Sequence, residues 1–174
     1  MLFSKLGLLF FLPFASPGLL KGLDPILSAD LLHVLRSMGH GDKIVICDVN
    51  FPAAATATET TSKQHVFLEG VDLPRALDAI LSLLPLDAFI DKPAVYMSPQ
   101  EGVALPPSGE EVISMAGSKI LEHAGVTVAP LERFSFYDEA RTAFAVVQTL
   151  ERRPYGNVIL TKGVIGPDGK DLRP

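Results

Sequence analysis

Residues 44–47, Ile-Val-Ile-Cys, form an unbroken apolar run that opens with three consecutive β-branched side chains. A run without polar alternation needs burial on both faces, as for a central strand in a sheet covered by helices on two sides. The run is entered through the turn Gly39-His40-Gly41-Asp42 and leaves through Asp48, Val49 and Asn50. Ligands of open α/β sheets bind outside the carboxyl ends of the strands, so Asp48 and Asn50 are delivered to a place where chemistry is expected. A fold needs the turn and the strand. It does not need an imidazole at one end and a carboxylate at the other, which makes His40 and Asp48 the first candidate site residues.

The surrounding chain supplies the helices such a strand requires. Ser28 is a predicted N-cap, followed by Leu31, Leu32 and Leu35 on one face, and Gly39 ends the run. "DLPRALDAILSLLPLD" places Leu77, Ile80, Leu81 and Leu84 on one side of an amphipathic helix. "SGEEVISMAGSKILEHAG" predicts a helix ending at Gly125, with His123 in the last turn favoured by the helix dipole. Between these lie expected strands at Val66–Leu68, in "AVYMSP", in "AFAVVQT" and after "YGN". The small, polar stretch after Phe51 reads as a loop, and a further helix is expected from about Phe136. Apolar runs alternating with helical patterns predict an α/β fold with a mainly parallel sheet flanked by helices.

Composition narrows the function classes. The 174 residues carry a net charge of −5 with the two signs interspersed, so no basic stripe offers itself to nucleic acid or to an anionic membrane. The single cysteine, Cys47, excludes an internal disulfide and reads as a small buried hydrophobe. The first residues, "MLFSKLGLLFFLPFASPGLL", look signal-like, but the apolar stretch is too short for a bilayer of about 30 Å and Pro13 interrupts it. Residues 1–18 are therefore expected to be an extension, either a weak signal-like segment or sequence upstream of a start near Leu19. The working domain is expected at 19–165, with 166–174 as a tail.

No phosphate-cradling glycine loop, GxSxG elbow or HExxH helix is present, and the four histidines are scattered. No metal is expected. Three polar features remain that a core does not require: His40 with Asp48; Arg133 among the aromatics of "ERFSFYDEA", with Tyr137 close behind; and "YGN", Tyr155 to Asn157, before a buried-looking strand. A histidine, a carboxylate, an arginine, tyrosines and an amide all offer directional hydrogen bonds, which suits a neutral, hydroxyl-rich ligand.

The combination of "MGHGD", "CDVNFP" and "YGNVILTKGV" resembles the RbsD/FucU family of sugar mutarotases and pyranases, on its L-fucose mutarotase branch. The resemblance runs from about Leu19 to Val164. It implies that His40 is the catalytic acid/base, that Asp48, Tyr155 and Asn157 serve the sugar, and that Arg133 stands where the fucose branch has a sugar-contacting arginine. One departure is Asn50, where the fucose branch carries histidine; the identity of the sugar is left open there. The family is cytoplasmic, and its bacterial members form decameric rings with pockets at subunit boundaries. A homo-oligomer whose neighbouring chain helps complete each site is thus implied.

The implied reaction suits the residues. Mutarotation opens a cyclic hemiacetal and recloses it on the other face, which takes a proton from the anomeric hydroxyl and gives one to the ring oxygen. A histidine titrating near neutrality serves both directions. The turn is expected to present His40 with Asp48 beside it to orient it or to bind a hydroxyl. Arg133, Tyr137, Tyr155 and Asn157 would fix the other sugar oxygens. No redox or phosphoryl step occurs, so no cofactor is expected. The rival readings are a D-ribose pyranase and a non-catalytic monosaccharide-binding protein.

Overall fold

β1 (Lys43–Cys47) lies inside a six-stranded sheet and is buried from its second residue onward. The computed structural model describes residues 18–174; apart from Gly18, the expected N-terminal extension lies outside them. With β2 (Gln64–Leu68), β3 (Ala94–Ser98), β4 (Ala129–Glu132), β5 (Ala145–Thr149) and β6 (Val158–Thr161), the strand order is β2-β5-β1-β6-β3-β4. β1 pairs in parallel with β5, β5 with β2, and β3 with β4, whereas β6 runs antiparallel to both of its neighbours. The sheet is therefore mixed: five strands share one direction and β6 alone opposes them.

The two faces are covered as the apolar run requires. Ile44 and Ile46 point into the larger core, packed with residues of α1 (Ala29–Ser37), α3 (Leu73–Leu81) and α4 (Pro107–Ala124). Val45 and Cys47 point the other way, toward α2 (Ala53–Ala57) and α5 (Arg133–Arg141), where Phe136, Ala140 and Ile159 complete a second core.

The helix ends follow local chemistry. The Ser28 hydroxyl accepts from the Leu31 N–H at 3.2 Å, and the Asp72 carboxylate accepts from the Arg75 N–H at 2.9 Å. Gly125 ends α4 at φ +67°, the left-handed conformation glycine adopts without penalty. Two boundaries differ from the sequence expectation. The stretch after Phe51 contains α2, because Ala53, Ala54, Ala55 and Ala57 supply strong helix formers to a segment whose polar residues suggest a loop. α5 begins at Arg133 rather than near Phe136, because the Glu132 carboxylate accepts from the N–H groups of Phe134 and Ser135 at 2.9 and 3.2 Å. Residues 166–174 fold back through an Ile165–Asp171 bridge, and Arg173 Nη2 donates to the Ala124 carbonyl at the end of α4. Among the described residues, no helix is long and apolar enough to cross a membrane.

Candidate functional site

The reversed direction of β6 builds the site. Because β6 starts where β1 ends, Asn157, just ahead of β6, meets Asp48, just past β1. The Asp48 N–H donates to Asn157 Oδ1 at 3.0 Å and Asn157 Nδ2 donates back to Asp48 Oδ2 at 2.9 Å. Asp48 Oδ1 accepts from the N–H groups of Asn50 and Phe51 at 2.8 and 3.1 Å. Both side chains of the pair are nearly inaccessible, at 2% and 3%. Burial pushes the Asp48 carboxyl above its ordinary value, against the opposing hydrogen bonds from Asn50, Asn157, Phe51 and Gly156.

A pocket of about 280 Å³ opens over this pair, lined by Asp48, Asn50, Phe51, Met97, Arg133, Tyr137, Pro154, Tyr155 and Asn157. It lies at the carboxyl ends of β1, β3 and β4 and at the amino end of β6, where the sheet rule places ligands. Arg133 opens α5, with its guanidinium carbon 5.6 Å from the Phe134 ring centroid and 5.7 Å from that of Tyr137. Tyr137 in turn leans on Phe51 at 5.5 Å. Arg133 Nε is buried with no hydrogen-bond partner in the chain. Tyr155 holds φ +67°, uncommon for a side-chain-bearing residue, and both it and Asn157 line the pocket.

His40 is elsewhere. It sits before the amino end of β1, which the five-residue strand separates from the carboxyl end by about 13 Å at roughly 3.3 Å per residue. The expectation that Asp48 lies beside His40 within one chain is thus corrected: a strand that delivers both residues also holds them apart. The carboxylate at His40 is instead Asp87, whose Oδ2 lies 3.0 Å from His40 Nε2 and whose Oδ1 accepts from the Phe89 N–H at 3.0 Å. The residues after β6 support this turn. Lys162 Nζ donates to the carbonyls of Leu35 and Met38 at the end of α1, and the Gly41 N–H donates to the Lys162 carbonyl. Gly163 is pressed against Leu86, where a Cβ would lie 2.4 Å from the Leu86 carbonyl oxygen.

Of the six residues singled out from the sequence, Asp48, Arg133, Tyr137, Tyr155 and Asn157 are gathered in one pocket and His40 is not. Phe51, Met97 and Pro154 join the lining unannounced. Met97 is next to last in β3, near the strand end that the sheet rule could have flagged; Asp87 carries no local signal, because its partner is 47 residues away. Cys47 is buried, its thiol pushed well up by burial, with its sulfur 3.5 Å from the Val147 carbonyl; it is no nucleophile. Among the described residues, no three His, Cys, Asp or Glu side chains converge in a way that could hold a metal ion.

Residues 21–165 match the model of the RbsD / FucU transport protein family. The chain belongs to this family. Human fucose mutarotase is 41% identical over 153 residues, covering 84% of this RbsD/FucU chain and 94% of that protein. The fucose mutarotase of Streptococcus pneumoniae, solved in complex with L-fucose, is 35% identical with a TM-score of 0.74, covering 84% of this chain and all of that one. Bacillus subtilis RbsD, solved with D-ribose, superposes with a TM-score of 0.60, covering 80% of this chain and 95% of that one; at 22% identity it shares the RbsD/FucU fold and nothing finer.

Proposed function

We propose that this protein is an L-fucose mutarotase, interconverting the α and β anomers by acid–base opening and closure of the ring. The observation that carries the reading is the Asp48–Asn157 pair beneath a pocket of about 280 Å³, with Arg133, Tyr137 and Tyr155 around it, in a chain 41% identical to a protein named fucose mutarotase. The volume falls just below the range of about 300–1,000 Å³ usual for drug-sized ligands and suits a single sugar ring.

In this mechanism, a proton leaves the anomeric hydroxyl, the bond from C1 to the ring oxygen breaks, and the ring oxygen gains a proton. Rotation about C1–C2 and the reverse transfers close the ring on the other face. His40 carries the proton, held by Asp87. Asp48 accepts from a sugar hydroxyl, and Arg133, Tyr137, Tyr155 and Asn157 bind the remaining oxygens. Since His40 and Asp48 stand at opposite ends of β1, the proton carrier of each pocket comes from a neighbouring copy. Two features favour this arrangement: the His40 side chain is 52% exposed, and the Phe89 ring 6.5 Å from it, with Ile90 next in sequence, leaves large apolar side chains 52% and 44% exposed in the single chain. The assembly is a homo-oligomer, with a closed ring as in bacterial members, and its compartment is the cytoplasm.

The deciding experiment is saturation-difference NMR of α- and β-L-fucose with wild type and His40→Ala, with D-ribose in parallel. Fast fucose exchange that collapses in the variant is expected. Dominant ring exchange on ribose would replace the reading with a pyranase. Background rates on both sugars, with fucose still bound, would leave a sugar-binding protein.

A further inference from the structure

We propose that Glu151, a residue outside the pocket, is the positioning residue for the Tyr155–Gly156–Asn157 segment, with Arg153 as its clamp. The inference rests on the mutarotase reading for its functional consequence and on contacts within the chain for its geometry.

Glu151 follows β5 and is 3% exposed, which a carboxylate tolerates only when its oxygens are satisfied. They are. Oε1 accepts from the Arg153 N–H at 2.9 Å and from Arg153 Nε at 2.8 Å, and Oε2 accepts from Arg153 Nη2 at 2.7 Å and, at 3.4 Å, from the Leu73 N–H at the start of α3. Two parallel guanidinium contacts fix both partners in one plane. Arg153 Nη1 reaches Glu111 of α4 at 3.3 Å, so the clamp is tied to a second helix. The Glu151 backbone is equally engaged: its N–H donates to Thr149 Oγ1 at 3.1 Å and its carbonyl accepts from the Val49 N–H, next to Asp48, at 3.0 Å.

The stem of Glu151 is the floor on which the site segment rests. A Cβ built on Gly156 would lie 2.7 Å from Glu151 Cγ, 3.3 Å from the Arg153 carbonyl and 3.5 Å from Asp48 Cβ. Gly156 therefore lies flat between Glu151 and Asp48, with no room for a side chain. Its two neighbours in sequence are the pocket residues Tyr155, held at φ +67°, and Asn157. Glu151 supports this peptide from below while the Asp48–Asn157 pair anchors it at one end. Without the stem, the peptide at Gly156 loses its nearest neighbour and keeps only the Arg153 carbonyl and Asp48 Cβ, so the segment from Tyr155 to Asn157 loses its register with Asp48.

The test uses full-length Glu151→Gln, Glu151→Ala, Gly156→Ala and the double variant Glu151→Ala/Gly156→Ala, all measured well below their melting temperatures. Readouts are fucose anomer exchange, fucose affinity by NMR titration, and the side-chain amide resonances of Asn157. Each single alanine variant is expected to lower exchange more than tenfold, weaken fucose binding and shift the Asn157 amide signals, with Glu151→Gln intermediate because it keeps the stem. The double variant is expected to be no worse than the poorer single one, since removing the Glu151 stem clears the space that the methyl of Gly156→Ala would otherwise overlap. Multiplying losses in the double variant, or Asn157 signals unmoved by Glu151→Ala, would overturn the proposal. A wild type that exchanges no fucose would sink the mutarotase reading instead, and the Asn157 resonances would still decide the role of Glu151.

Discussion

His40 Nε2 and Asp87 Oδ2 stand 3.0 Å apart, joining a half-exposed imidazole to a carboxylate that is 4% exposed. The buried partner is fixed from behind by the Phe89 N–H and by the backbone pairing of Asp87 with Thr161. The ring therefore turns on a rigid pivot, with Nε2 committed inward. Asp87→Asn keeps the shape and loses the charge. It is expected to slow fucose exchange by about tenfold or more, a part of the roughly 10²–10⁴ that acid–base catalysis supplies, while fucose affinity stays within about twofold. Exchange NMR and titration on the same sample read both quantities.

The proposed sharing of the site between copies has a simple arithmetic signature. His40→Ala and Asp48→Asn are each expected to inactivate every pocket in a pure assembly. In a co-expressed random mixture, about one quarter of two-chain sites combine an intact His40 with an intact Asp48. Recovery of activity on mixing, absent from either variant alone, is expected. A mixture as inactive as its parents, with mixed assembly verified by mass spectrometry, would place both residues in the same chain's chemistry.

Two buried carboxylates at the strand ends respond oppositely to acid. Burial raises Asp48, so the folded state holds its proton more tightly than the unfolded chain does. The resulting penalty on stability is absent at low pH, grows as pH rises above about 3.8 and is constant once the folded value is passed. Glu151 behaves in reverse. Burial alone would raise it, but the Arg153 guanidinium and N–H with the Leu73 N–H together hold it below 4.5. Its contribution is present above that value and fades as pH falls through the folded one. Thermal melts should therefore show the stability gap between wild type and Glu151→Gln closing below about pH 4.5.

Replacing Asp48 by asparagine tests the pocket floor. Asn157 Nδ2 would then face either a second amide donor or, if it flips, lose the bond its oxygen accepts from the Asp48 N–H. One buried donor is left unsatisfied in either case, at a cost of about 1–3 kcal/mol. A lower denaturation midpoint together with lost fucose binding is expected. Unchanged stability would mean the pair is not as closed as its 2.9 and 3.0 Å contacts imply.

Gly163→Ala probes the support of the histidine turn. The new methyl would meet the Leu86 carbonyl, a backbone atom that has no rotamer to relax into. Overpacking of this kind costs about 1–3 kcal/mol, or a fall in melting temperature of roughly 2–4 °C per kcal/mol for a chain of this size. Exchange should fall further than stability, because Asp87 follows directly on the displaced residue.

Much of this is legible in the sequence. The apolar run at β1 dictated helices on both faces, and the caps Ser28 and Gly125 act where their chemistry predicts. Asp48, Arg133, Tyr137, Tyr155 and Asn157 stood out because a core has no use for them at those positions. The direction of β6 was not legible, since strand periodicity is identical for parallel and antiparallel neighbours, and that direction makes Asn157 the partner of Asp48. Asp87 and Glu151 stayed hidden for a related reason: each acts on a partner set by tertiary contact, His40 in one case and the Gly156 backbone in the other. The expectation of His40 beside Asp48 within one chain failed on a matter of length. A strand long enough to be central is too long for its two ends to touch.

The four residues of β6 span about 10 Å at roughly 3.3 Å per residue. Asn157 enters it from the pocket over Asp48, and Lys162 leaves it into the turn that presents His40. If neighbours lend one another their histidines, this strand is a short stiff rod with a receptor at one end and a donated tool at the other. A ligand that tightens the Asp48–Asn157 end then pushes on the histidine offered to the next copy. Around a closed assembly such rods would be linked pocket to pocket, so filling one site would be felt mechanically at its neighbour.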